Sequence, residues 1–164
     1  MRILKAAMIF MIAMVVLALA VVSYFFATAK VSIAAYKAEG IQATASADQF
    51  EQIKAQVAQN AFHGTLFQTN AALGTADQYA FITYTLRLSN QCLVPIDMVE
   101  VQVVPDPSDV LQLGDLEVHS LDAKTQGDIT ATILTAKDSN SIRELIVTYY
   151  VWGVSFTIRE TYGG

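Results

Sequence analysis

The longest apolar stretch of the chain runs from Ala6 to Ala29 and contains no charged residue. At the α-helical rise of about 1.5 Å per residue, this stretch reaches roughly 36 Å, enough to cross a hydrocarbon core of about 30 Å. No other run approaches the apolar length of about 18 residues that a membrane helix needs. The sequence therefore predicts one transmembrane helix, with residues 1–29 forming a short cytoplasmic end and the helix itself.

The charges on the two sides of this stretch predict its orientation. Arg2 and Lys5 precede it without an acidic residue, whereas residues 31–164 carry 7 Lys and Arg against 15 Asp and Glu, a net charge of 7 − 15 = −8. Because Lys and Arg favour the cytoplasmic side, we expect a single-pass cell-membrane protein with a cytoplasmic amino terminus and an extracytoplasmic domain. The acidic domain also argues against a nucleic-acid partner, since phosphate binding needs a cationic surface.

A cleaved signal peptide is the alternative to a retained anchor. Ala18-Leu19-Ala20 and Ala27-Thr28-Ala29 both have the small-x-small form that signal peptidase accepts. The apolar run before Ala27 is longer than the core of about 7–15 residues in a signal peptide, which favours the anchor. Both alternatives place the domain outside the cytoplasm. Cys92 is the only cysteine, so no internal disulfide can form.

Residues 30–63 are predicted to hold a juxtamembrane linker and a short amphipathic helix. Residues 30–39 could continue the membrane helix, which Gly40 would end. Ser46 and Gln49 have the spacing of a capping box at the start of a second helix. This helix would carry an apolar stripe at steps of three and four residues, formed by Phe50, Ile53, Val57 and Ala61. We expect it to pack on its own domain, with docking to another chain as the alternative.

Residues 64–164 are predicted to form the β domain, because the apolar period changes there from 3.6 to 2. The strongest strand spans 79–89, with Ile82, Tyr84, Leu86 and Leu88 on one face. Further strands are expected at 65–68, 99–104, 110–113, 117–121 and 129–133. Short strands without intervening helices favour a mainly β fold, an antiparallel immunoglobulin-like β-sandwich of about seven strands.

The carboxyl-terminal residues predict a hairpin with Trp152-Gly153 as its loop. In this register Val151 lies opposite Val154, and Tyr149 lies opposite Phe156, so that nearly all apolar side chains share one face. A tight turn of this kind requires positive φ angles, which are unusual for tryptophan, so a longer loop or a bulge is the alternative.

Two strands and the turn between them carry a family resemblance. The segments are Tyr84-Thr85-Leu86-Arg87-Leu88-Ser89-Asn90, then Val94-Pro95-Ile96 and Val99-Glu100-Val101, with Leu121-Asp122-Ala123 before a later strand. Residues 80–160 thereby resemble the immunoglobulin-like modules of bacterial and archaeal surfaces, of the CARDB type and of the late-embryogenesis-abundant (LEA) type. The usual Asn-x-Gly reads Asn90-Gln91-Cys92 here. The resemblance implies an adhesion or spacer domain without catalytic residues.

The order of an amino-terminal helix and a β-sandwich is also similar to that of archaellum stator proteins and some pilins. A prepilin-type processing site would place a Gly-Phe junction before the span and a glutamate early in the helix, and the chain has neither. A filament-associated subunit is therefore the least favoured of the interpretations.

The side chains that could carry chemistry are few and scattered. His63 and His119 lie far apart in sequence, which is not the close spacing typical of zinc ligands. The acidic cluster, which consists of Asp106, Asp109, Asp115 and Glu117 with Asp97 nearby, matches no calcium-loop pattern. No nucleophile, phosphate-loop or nucleotide-binding motif occurs. We therefore predict no enzyme activity, no cofactor and no metal site.

The final hairpin supplies the candidate contact residues. Tyr150 and Trp152 fall on its more polar face and at its tip, where large aromatic side chains could contact a partner or a glycan. The sequence thus favours a non-catalytic scaffold or accessory module that binds another envelope protein and membrane lipid, the latter through its helix. An extracytoplasmic binding module for a small ligand, glycan or ion is the alternative.

Overall fold

A computed structural model describes residues 2–28, 30–68, 73–115 and 117–162. Ala29, the last residue of the predicted span and of one predicted cleavage motif, lies outside the described residues. The helices are α1 (Arg2–Ala27) and α2 (Ala47–Ala58). The strands are β1 (Val31–Gln42), β2 (Gly64–Leu66), β3 (Tyr79–Asn90), β4 (Ile96–Val103), β5 (Asp109–Leu113), β6 (His119–Leu121), β7 (Gln126–Ala136), β8 (Arg143–Val151) and β9 (Val154–Tyr162).

The strands form two antiparallel sheets, so the mainly β sandwich is confirmed, with nine described strands instead of about seven. One sheet has the order β1-β3-β7-β5-β2 and the other the order β6-β4-β8-β9. Without the three-residue strands β2 and β6, this order equals the A-B-E-D and C-F-G sheets of an immunoglobulin constant-type sandwich. The main core fills the space between the sheets, with Leu86 of β3 and Val147 of β8 fully buried.

The helix α1 is long and apolar enough to span a membrane over Leu4–Ala27, and its most apolar part contains no buried residue, while Phe25 and Phe26 in its last turn are half-buried. It is followed almost at once by β1. The prediction that residues 30–39 continue the membrane helix is therefore wrong. Ala and charged residues favour a helix locally, but pairing with β3 along its whole length, from Val31 with Asn90 to Gln42 with Ala80, makes the segment an edge strand.

The amphipathic helix forms close to where it was predicted and packs on its own domain. Phe50 and Ile53 of α2 are buried in a second, smaller core against Phe81 and Leu134, on the outer face of the five-stranded sheet. Ser46 makes no side-chain cap, because a short 3-10 helix (Ala43–Ser46) leads directly into α2. The predicted capping box is therefore wrong.

The hairpin of β8 and β9 has the predicted register throughout. Val151 pairs with Val154 and Tyr149 pairs with Phe156, so the two-residue loop is confirmed. Trp152 and Gly153 have φ angles of 48° and 78°, which are the two positive values of a type I′ turn. The pairing of a long apolar hairpin holds a tryptophan in a backbone region that it seldom adopts.

A buried ion pair joins the two sheets at the end of the sandwich opposite this turn. Arg143 of β8 donates from Nε and Nη2 to the two carboxylate oxygens of Asp109 on β5, each at 2.7 Å. The remaining guanidinium hydrogens reach oxygens of Ser139, Asn140 and Ile142. Every donor of the buried guanidinium is thus used, which is the condition for such a pair to be tolerated.

The acid stability of the fold follows from this pair. Burial raises the pKa of the Asp109 carboxyl, but the hydrogen bonds from Arg143 and from the Asp106 backbone outweigh it, so that the pKa is lowered. A lowered pKa means that the pair stabilises the folded state above the unfolded-state value of about 3.9. This contribution is lost as the pH falls through the lower pKa of the folded state.

Removing one member of the pair leaves a buried charge without a partner. We expect Arg143→Ala to lower the free energy of unfolding by about 3–5 kcal/mol, and the double variant Arg143→Met with Asp109→Leu to lose clearly less. Urea denaturation of the full chain in detergent micelles, followed by circular dichroism, measures both. A single variant no less stable than the double variant would contradict this account.

The turn at Gly153 can be tested by backbone strain alone. A Cβ atom added at Gly153 meets nothing within 4 Å, so only its φ of 78° disfavours a side chain. Gly153→Val should cost on the order of 1–3 kcal/mol, because a β-branched residue is strained at positive φ. Gly153→Asn is the matched control and should cost less, since asparagine tolerates this region. Equal unfolding midpoints for the two variants would argue against the turn.

Candidate functional site

A cleft of about 280 Å³ opens between the two sheets on the side where β2 and β6 form the edges. It extends onto the outer face of the four-stranded sheet, where Thr148 and Tyr150 of β8 line it. The other lining residues are Thr65, Met98, Val99, Glu100, Val101, Gln102, Gln112, Leu113, Gly114, Asp115, Glu117, Val118, Ile129 and Thr130.

The cleft exists because β4 is irregular and its neighbour β6 is short. The pairing of β4 shifts register between Ile96 and Val99 against β6, and between Asp97 and Glu100 against β8. An extra residue of this kind is a β-bulge, which bends the strand and ends regular pairing. Beyond Val99, no described residue of β6 pairs with β4, so the outer edge of β4 is left open.

The side chain of Gln112 closes part of this open edge. It accepts a hydrogen bond from the Val103 backbone N–H at 2.9 Å and donates one to the Val101 carbonyl at 2.8 Å. The amide of a β5 side chain thus replaces a strand beside β4. These hydrogen bonds satisfy backbone groups of β4 that would be costly to bury unpaired. Gln112 also lines the cleft.

Met98 stands at the bulge in a strained conformation. Its φ of 50° is in the left-handed region, where a non-glycine residue is uncommon and costs of order 1 kcal/mol. Its side chain is nevertheless 57% exposed, and Val118 across the cleft is 78% exposed. The structure therefore holds two apolar side chains in water at the mouth of the cleft, at a cost in stability.

The rim of the cleft is acidic. The described lining residues include the carboxylates of Glu100, Asp115 and Glu117 and no lysine or arginine. Oδ1 of Asp115 accepts a hydrogen bond from the Glu117 backbone N–H at 3.0 Å, and Oδ2 of Asp115 lies 2.6 Å from Nε2 of His119. These two interactions, the backbone one first, lower the pKa of the Asp115 carboxyl, which is therefore ionised at neutral pH.

The structure separates the acidic residues that are close in sequence. Asp109 is buried against Arg143, and Asp106 accepts hydrogen bonds from Ser108, while Asp115 and Glu117 line the cleft. Among the residues that the structure describes, no group of three or more His, Cys, Asp or Glu is placed to hold a metal ion. The acidic rim is thus a source of negative potential without converging ligands.

The two predicted contact residues lie at different places. Tyr150 is half-buried on the wall of the cleft, whereas Trp152 is at the tip of the hairpin and contacts the end of α1. Tyr150 belongs to β8 and pairs with Asp97 of β4, whereas Trp152 lies in the turn beyond β8 and packs on Phe25. Contact of either residue with a partner protein stays a prediction.

Met98 and Val118 were missed by the sequence reasoning, although one signal points to the bulge. The buried residues of β4 are Ile96, Val99, Val101 and Val103, with a first step of three residues and later steps of two. A step of three in an alternating pattern indicates one extra residue in the strand. The exposure of Val118 has no comparable signal.

A comparison of the chain with models of known protein families, with characterised proteins and with solved structures found no match. The family resemblance noted from the sequence therefore stays a prediction, and the role of the cleft is argued from its geometry.

The strain at Met98 can be tested by comparing the stabilities of two variants. Met98→Val should be less stable than Met98→Gly by about 1 kcal/mol or more, because glycine adopts positive φ freely and valine does not. Glu100 is the matched control on the same strand, and there the order should reverse, since valine favours extended backbone and glycine weakens it. Thermal unfolding of the four variants shows which substitution, valine or glycine, is the more stable at each position. The same order at both positions would contradict the strained conformation.

Proposed function

We propose that this chain is a single-pass, non-catalytic membrane protein whose sandwich domain lies outside the cytoplasm and binds another envelope protein through the cleft. The observation that carries the proposal is the strained and exposed Met98, which lines the cleft together with the exposed Val118 and with acidic residues. Strained backbone and β-bulges concentrate at functional sites, where their cost in stability is offset by what they position.

The extracytoplasmic location rests on charge. Arg2 and Lys5 precede the apolar stretch that begins at Ala6, and the chain beyond α1 is strongly acidic, which favours a cytoplasmic amino terminus. The acidic rim would then face other proteins of the envelope.

The chemistry of the cleft suggests what the partner presents. Methionine is flexible and polarisable, so Met98 can adapt to an apolar side chain of a partner. The carboxylates of Glu100, Asp115 and Glu117 favour lysine or arginine around that side chain, because complementary charge steers association. We therefore propose a partner segment with an apolar anchor between basic residues.

A small ligand, glycan or ion is the second candidate. The volume of the cleft, about 280 Å³, lies just below the range of about 300–1,000 Å³ that is typical of pockets enclosing small molecules. Its open mouth favours a protein segment that needs no enclosure.

Site-specific photocrosslinking in living cells tests the proposal. A benzophenone amino acid replaces Val118, whose exposed side chain tolerates the change, and in a matched control it replaces Gln56 on the exposed face of α2. We expect one discrete crosslinked protein from Val118 and none from Gln56. Tyr150→Ala in the Val118 variant should weaken this contact by about 2 kcal/mol, or roughly thirtyfold.

The other outcomes are informative. Equal crosslinking from Val118 and Gln56, or none from either, would overturn the cleft as a protein-binding site. A higher melting temperature with a sugar or with calcium would then favour the second candidate. Loss of the crosslink with Trp152→Ala would extend the contact surface to the hairpin tip.

A further inference from the structure

The end of the sandwich that faces α1 carries an unusual set of exposed apolar side chains, which we call the membrane-proximal end. It comprises Lys30, the β3–β4 connection with Leu93, and the β8–β9 turn with Trp152 and Val154. The Gln91 backbone N–H donates to the Lys30 carbonyl at 2.9 Å, which holds the β3–β4 connection beside the start of β1.

The height of this end relative to a bilayer follows from the length of α1. The 24 residues of Leu4–Ala27 extend roughly 36 Å, about 6 Å more than a typical hydrocarbon core. With Lys5 at the opposite interface, the last turn of α1, with Phe25 and Phe26, reaches the headgroup layer. Aromatic side chains are enriched at this level in membrane proteins.

Trp152 lies at the same level because it packs on that turn. Its ring centroid is 5.3 Å from the ring of Phe25 and 5.9 Å from the ring of Phe26, both in edge contacts. Phe156 of β9 stacks on Phe26 at 6.4 Å. Despite these contacts, Trp152 is 54% exposed, and Leu93 and Val154 are 49% and 46% exposed.

The connections at the membrane-proximal end are also joined by hydrogen bonds. The Nδ2 atom of the buried Asn90 lies 3.0–3.2 Å from the carbonyl oxygens of Val94, Leu121 and Asp122, which share its two hydrogens, and its Oδ1 accepts a hydrogen bond from the Cys92 backbone N–H. One side chain thereby ties the β3–β4 connection to the turn before β7. Leu93 lies on the β3–β4 connection that Asn90 holds, and its side chain stays 49% exposed.

We propose that the membrane-proximal end is seated in the headgroup layer of the bilayer that α1 crosses, with Trp152 as its interfacial anchor. Tryptophan suits this layer because its ring is apolar and its N–H seeks a polar partner. The exposed charged residues at this end include Lys30, Lys124, Asp122 and Asp97, whose charges sum to zero. The surface therefore fits a neutral, zwitterionic headgroup layer better than an anionic one. The proposal rests on the transmembrane placement of α1.

The chain offers a direct probe, because Trp152 is its only tryptophan. The full chain is reconstituted into phosphatidylcholine vesicles, some of which carry bromine on the acyl carbons near the headgroup and others near the chain ends. Bromine quenches tryptophan fluorescence at short range. We expect Trp152 to lose more fluorescence with the shallow bromines than with the deep ones, and to be shielded from acrylamide in water.

The matched control moves the tryptophan to the opposite end of the sandwich. Trp152→Phe combined with Ile142→Trp places it at an exposed apolar position beside Arg143, the far end of β8. Nine strand residues separate the two ends by about 30 Å, at roughly 3.3 Å per residue. This tryptophan should be quenched by acrylamide and not by either lipid.

Flotation of the vesicles separates failure of this proposal from failure of the anchor. A chain that does not float with the vesicles would overturn the transmembrane placement of α1 and the docking with it. If the chain floats but Trp152 is quenched only by acrylamide, the anchor stands and the docking is overturned. Stronger quenching by the deep bromines would overturn the interfacial position.

Discussion

The pairing of β1 with β3 is the constraint on which the rest of the structure depends. It begins at Val31, four residues beyond Ala27, the last residue of α1, and continues to Gln42. A transmembrane helix followed by a long flexible linker would leave the domain free to rotate. Here only residues 28–30 lie between the helix and the sheet, so the position of the end of α1 is coupled to that of the sandwich. The contacts of Trp152 and Phe156 with the end of α1 follow from this coupling.

Four polar side chains make directional contacts that the apolar core does not provide. Asn90 organises the connections at the membrane-proximal end, and the ion pair of Arg143 with Asp109 joins the sheets at the other end. Gln112 bridges β5 and β4 between them. Apolar burial is non-directional and fixes only which faces meet, whereas each of these hydrogen-bonding groups has one geometry that satisfies it. Together they fix how the sheets stack and keep the cleft open.

Tyr150 and Trp152, which the sequence groups as one contact site, lie at two different sites, the cleft and the membrane-proximal end. A group of aromatic residues near a hairpin does not say which part of the fold surrounds each of them. Tyr150 lies in the cleft beside an acidic rim, while Trp152 packs on Phe25 of α1. The difference arises from the neighbouring elements. Tyr150 is in β8 and pairs with β4 next to its bulge, whereas Trp152 is in the turn after β8.

The sequence by itself determined the membrane-length helix, the β-sandwich class, α2 and the complete register of the final hairpin. Each depends on local patterns: an uninterrupted apolar run, or alternation that sorts side chains onto one face. Only the tertiary structure decided that residues 31–42 form a strand, because its helix-favouring residues are overridden by a partner about fifty residues away in sequence. The same holds for the cleft, where Met98 and Val118 come together from separate elements. The step of three residues from Ile96 to Val99 indicates the bulge at Met98, but the pairing that brings Val118 across the cleft from it is long-range and has no local signal.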